Sequence, residues 1–152
     1  MIKKYRTIGR FMFILYILFL LYFLIFSDWY GRSGVYEDYH YNFVPFQEIL
    51  RYWNYRDQLG VLSFTNLAGN VLVFVPFGFL SAMASRKRNF LRTTLDGFLL
   101  SLIVETFQLL TMVGSFDVDD LILNTFGVIL GFLGFVFCNG IRRIYDKNKK
   151  RA

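Results

Sequence analysis

The chain has 152 residues, of which 55% are hydrophobic and 20% aromatic, and its mean hydropathy is +0.42. A soluble fold of one-domain length does not carry that much apolar surface, so the composition predicts an all-α integral membrane protein. With one cysteine, Cys138, and one histidine, His40, an internal disulfide framework and a Cys/His metal cluster are excluded, and neither a metal nor another cofactor is expected.

Four apolar runs have about the 20 residues that a helix needs to cross a bilayer, at 11–30, 64–84, 95–113 and 121–140. They predict a single membrane domain over 1–152, a bundle of four transmembrane helices. The first run, FMFILYILFLLYFLIF, follows MIKKYR; no small-residue cleavage pattern comes after it, so it reads as an uncleaved signal anchor, with Trp29 and Tyr30 at the interface. The loop from Gly31 to Ser63 is too polar to insert. Within it, Phe46, Ile49, Leu50 and Trp53 recur at helical spacing with Gln47, Glu48, Arg51 and Asn54 off that stripe. This predicts a short amphipathic helix at about 45–58 lying on the bilayer surface, with Pro45 in its first turn.

The second run holds Asn66 and Asn70 four apart on one face, and Pro76, which predicts a kink eased by Gly78. The third holds Glu105 and Gln108, three apart, with Ser101 and Met112 on the same stripe. A charged side chain in a spanning helix costs about 2.5–3.5 kcal/mol on insertion scales, so this stripe is expected to face the bundle or a water-filled cavity. The short loop GSFDVDD, with Asp117, Asp119 and Asp120, then turns the chain into the fourth run, which carries Asn124 and a small-residue stripe of Gly127, Gly131 and Gly134. Gly127 and Gly131 suit close helix packing.

Fourteen of the seventeen basic residues lie before the first run, between the second and third, or after the fourth. The positive-inside bias therefore places both termini in the cytoplasm. Topology and attraction to anionic lipid account for the basic tail, so nucleic acid is not expected as a partner. Glu105, Asn70 and Asn124 then all lie in the outer half of the bilayer, beneath the acidic loop. Together with Asn66, Gln108, Asp117 and Asp120 they predict a polar pocket open to the outside. A structural network, in which a neutral Glu105 bonds the two asparagines, is the other reading of the same residues.

NFVPF (42–46), NLAGNVLVFVPFGFL (66–80), SLIVETFQ (101–108) and GSFDVDDLILNTFG (114–127) occur in the order and spacing of the VanZ family, and the chain resembles that family over 42–131. The resemblance implies a multi-pass membrane protein of the bacterial envelope, linked to resistance to the glycopeptide teicoplanin. It marks Asn66, Asn70, Pro76, Gly78, Glu105, Gln108, Asp117, Asp120, Asn124 and Gly127. One departure is that Thr111, Met112 and Val113 supply no arginine before the acidic loop, which leaves Arg32 or Arg51 to partner the carboxylates. The expected function is binding of a lipophilic or lipid-linked molecule, such as a cell-wall precursor or a lipoglycopeptide, at the outer leaflet. The partners expected are the lipid bilayer, that molecule and, in a homo-oligomer, a second copy. The alternative is an intramembrane hydrolase or transferase with Glu105, Asp117 and Asp120 as candidate catalytic groups and His40 solvated in its loop. A small transporter is a third reading, disfavoured because only Asp96 is charged toward the inner half.

Overall fold

The computed structural model describes residues 2–26, 39–86, 89–112 and 114–149. Four helices are long and apolar enough to cross a membrane: α1 (Ile2–Phe26), α4 (Val61–Ala84), α5 (Phe90–Leu110) and α6 (Val118–Lys149). Two short helices, α2 (Gln47–Asn54) and α3 (Arg56–Leu59), lie between α1 and α4. The protein is thus an all-α membrane bundle.

Each long helix begins before the span expected for it, and α6 also runs on past the end of its own. Hydropathy reports the stretch that wants lipid, whereas helical hydrogen bonding continues until a cap or turn stops it. α1 takes in the basic leader, and α6 continues through the basic tail to Lys149. α5 starts five residues early because the Asn89 side chain accepts the Arg92 N–H at 3.1 Å and caps it. It ends at Leu110, so Met112, with φ 55°, sits in the following turn and not on the polar stripe. Trp29, Tyr30 and Arg32 fall outside the described residues.

The surface helix is two helices. α2 and α3 meet at Tyr55, and Arg56 Nη1 donates to the Trp53 carbonyl at 2.9 Å beside that break. Pro45 precedes the helix instead of opening it: the Gln47 N–H bonds the Val44 carbonyl at 3.3 Å, and Phe46 takes φ 66°, ψ 6°. Pro45 and Phe46 are therefore the two corner residues of a type II turn. On the apolar stripe Phe46, Leu50 and Trp53 are exposed, while Ile49 is partly buried at the wall of a recess in the bundle.

α4 is the centre of the bundle, packed on α6 along one side and on α1 along another. Gly127 and Gly131 let α6 touch the backbone of α4 at Val71 and Val75, and Gly78 does the same for α4 at Val128. α4 is helical straight through Pro76. Proline leaves the carbonyls one turn before it without their usual donor or spacing, and the Tyr16 hydroxyl of α1 donates to one of these, Val73. Leu20, Phe74, Phe77, Val104 and Val128 form the buried core. Large apolar residues elsewhere on the long helices, such as Leu18, Leu72, Leu110 and Phe137, are exposed, which in this class of protein is the lipid-facing surface.

One feature had no sequence signal. Tyr41–Asn42 (β1) pairs in parallel with Phe116–Asp117 (β2), Tyr41 opposite Phe116 and Asn42 opposite Asp117. Two-residue strands have no periodicity to read; this pair exists because the two loops meet over the acidic end of the bundle.

Candidate functional site

The buried side of α5 is Thr93, Gly97, Ser101, Val104, Glu105 and Gln108, one helical stripe that is mostly polar. Its exposed side carries Leu99, Ile103 and Leu110. Polarity faces the bundle, as the insertion cost demands.

A set of hydrogen bonds gathers this stripe, the acidic loop and the neighbouring elements. Asp117 donates its backbone N–H to Glu105 Oε2 at 3.2 Å, and Asn42 Nδ2 donates to Asp117 Oδ1 at 3.1 Å. The same Oδ1 accepts the Asp119 N–H at 2.8 Å, so Asp117 caps the start of α6. Asn70 of α4 donates its amide to the Asp120 carboxylate. Deeper, Asn124 donates to Ser101 Oγ at 2.8 Å, and its own Oδ1 is buried without a donor.

Asp119, 1% exposed, was not among the residues expected to bind. Its Oδ1 accepts the Phe46 N–H, and its Oδ2 accepts the N–H groups of Glu48 at 2.7 Å and Ile49 at 3.0 Å. α2 has no capping side chain of its own, because Phe46 stands at its N-cap. A carboxylate about seventy residues away in sequence supplies the cap. Asp119 also lies in the first turn of α6, so it sits at two helix N-termini at once, where negative charge is favoured. This explains how an aspartate is buried so completely. A cap residue missing before an otherwise well-patterned helix was the available clue.

Above these contacts lies a polar recess of about 450 Å³. Asn66 and Asn70 of α4, Gln108 of α5, and Asp117, Asp119 and Asp120 form its wall on the bundle side. Glu48, Arg51 and Tyr52 of α2, with His40, form the other side. Five of the seven residues expected at a binding pocket line it, namely Asn66, Asn70, Gln108, Asp117 and Asp120. Glu105 and Asn124 are buried behind it. His40, read as a solvated loop residue, is exposed but on the rim. Measured from the ends of the helices as they fold, Glu105, Asn124 and Asn70 lie about 8, 9 and 14 Å in. A second groove, of about 320 Å³, is lined by Arg51, Tyr52, Tyr55, Gln58, Leu59 and Asn66, and shares Arg51, Tyr52 and Asn66 with the recess.

Arg51 is the guanidinium at this site. Its Nη2 lies 2.6 Å from Glu48 Oε2, and it counteracts the neighbouring acids. Burial pushes the Glu48 carboxyl above its usual range; Arg51 pulls it back, while Asp117 and Asp119 push it further. Asp117 is raised too, first by burial, against which its bonds to the Asp119 N–H and Asn42 and the charge of Arg51 act. Among the described residues, no three His, Cys, Asp or Glu side chains converge to hold a metal ion. The acids bond separate donors rather than facing one point.

A carboxyl raised in the folded state binds its proton more tightly there than in the unfolded chain. The stabilisation is complete below the unfolded value near 4 and is lost as pH rises through the folded value. The melting temperature of detergent-purified protein is therefore expected to rise as pH is lowered from neutral toward that unfolded value near 4. The double variant Glu48→Gln, Asp117→Asn is expected to flatten that rise; an equal slope in this variant would assign it to other groups.

A family model described as VanZ/LLP1 matches residues 13–139. The chain belongs to this family. The match takes in α1, which extends it well beyond the 42–131 stretch whose motifs are visible by eye. "Protein VanZ" of Enterococcus faecium is 28% identical over 129 residues, covering 85% of this chain and 72% of that protein. No solved structure matches. Arg51, on α2, lines the same recess as Asp117, Asp119 and Asp120.

Proposed function

We propose that this protein acts in the bacterial plasma membrane, with its acidic end outward, by holding a lipophilic or lipid-linked envelope molecule in the recess, and that it thereby contributes to glycopeptide (teicoplanin) resistance. The observation that carries this reading is that the polar recess and the neighbouring groove share Arg51, Tyr52 and Asn66 along their walls. A polar head fits among Asn66, Asn70, Gln108, Asp120 and Arg51, and a chain leaving it passes along the groove, beside a helix whose exposed face suits the bilayer surface. The distribution of basic residues supports the orientation, and the likeness to Protein VanZ supports the link to resistance.

Arg51 is half exposed and Asp120 lines the wall, so Arg51→Ala and Asp120→Asn test the pocket at its two sides. Expression of the wild-type protein in a susceptible bacterium is expected to raise the inhibitory concentration of teicoplanin, and each variant, at equal abundance in the membrane, to bring it back toward the control. Wild-type tolerance in both well-expressed variants would sink the pocket. A thermal-shift panel of envelope lipids and glycopeptides on the purified protein then separates candidate occupants.

A further inference from the structure

At the other end of the bundle α1, α4 and α6 enclose a second cavity, of about 220 Å³. Arg6 from α1, Arg86 just beyond α4 and Arg142 from α6 reach it from positions far apart in the chain, and among the described residues no Asp or Glu lines it. Its inner wall is apolar, formed by Phe79, Met83 and Phe135. Arg142 is fixed in place: Nη2 donates to Asn139 Oδ1 at 2.9 Å, and the guanidinium lies 5.1 Å from the centre of the Tyr5 ring. Its Nε is buried with no acceptor.

We propose that this cavity binds the phosphate headgroup of an anionic phospholipid, with the start of an acyl chain against the apolar wall. Guanidinium groups match phosphate by paired hydrogen bonds, and three of them around one cavity provide charge and geometry together. The positive-inside bias requires basic residues near this membrane face but not their convergence. Arg92, at the same end on α5, lies outside the cavity and reaches Asp96 at 3.8 Å. The site is independent of what the recess at the acidic end holds.

The test uses the full chain in detergent, titrated with phosphatidylglycerol, phosphatidylcholine or inorganic phosphate and read by native mass spectrometry and thermal unfolding. Phosphatidylglycerol is expected to be retained and to raise the melting temperature, and phosphatidylcholine to do neither. Arg142→Gln and Arg86→Gln are each expected to weaken retention about tenfold, the effect of losing one charged hydrogen bond, while Arg92→Gln leaves it unchanged. Arg86 is exposed at the rim, so its variant carries the test if Arg142→Gln does not fold. Equal binding of the two lipids, or an equal loss with Arg92→Gln, would overturn the site. Stabilisation by inorganic phosphate as strong as that by phosphatidylglycerol would assign it to a soluble anion and overturn the lipid.

Discussion

Asp119→Ala is expected to release α2 from the bundle and to cost about 4.5 kcal/mol of stability, because hydrogen bonds to a charged group contribute about 1.5–3 kcal/mol each and three are lost together. The lower part of that range applies because α2 is at the surface, and its freed N–H groups reach water. The turn at Pro45 and Phe46 loses its anchor at the same time. Phe46 has φ 66°, a left-handed conformation that non-glycine residues hold only when their surroundings impose it. Asp119 imposes it by accepting the Phe46 N–H. Asp119→Asn keeps the shape and one acceptor oxygen but neither the charge nor the second acceptor, so it is expected to fall between wild type and Ala. Thermal unfolding measures the loss, and hydrogen exchange locates it: amides in 46–54 are expected to lose protection while α4 and α6 keep theirs. Wild-type protection of 46–54 in Asp119→Ala would show that the cap does not hold α2.

The sequence already carried the inward polar stripe, and the reason is energetic. Glu105 and Gln108 in an apolar run have only one tolerable direction to face, and the structure turns them that way. The sequence offered Glu105 as the partner of Asn70, and the fold brings the Asp120 carboxylate to that amide. Asp119 was hidden because nothing local distinguishes it from Asp117 or Asp120. Three acids at a helix start satisfy a simple capping argument, and only the fold shows that one of them caps a different helix. Arg51 was legible only as one of the three arginines expected on that side of the membrane. Its place opposite Asp117 depends on how α2 lies, and the turn and the Asp119 cap set that. The third arginine of the basic-end cavity was likewise just part of a charged tail until α6 continued as helix past the membrane and carried Arg142 to Tyr5.

Gly131→Ala is expected to be the most damaging single-methyl change in the protein. A Cβ at this position would fall on the Val75 carbonyl and close to the Phe79 N–H, which together are one hydrogen-bonded turn of α4. Gly78 faces the matching turn of α6, between the Val128 carbonyl and the Phe132 N–H. A side chain in the way can rotate, but a helical backbone cannot, so the helices must separate. Separation loosens the packing of Phe74 against Val128 and pulls Asn70 away from Asp120, so the expected cost is about 3 kcal/mol or more, at the upper end for overpacking. Gly140→Ala is the control: nothing lies within 4 Å of its Cβ, and replacing glycine in a helix is expected to gain up to about 1 kcal/mol. The two variants make the same chemical change in the same helix, so the difference between their melting temperatures isolates the contact with α4. Equal melting temperatures would mean that α4 and α6 do not meet through their backbones, and the wall joining Asn70 to Asp120 would have no fixed width.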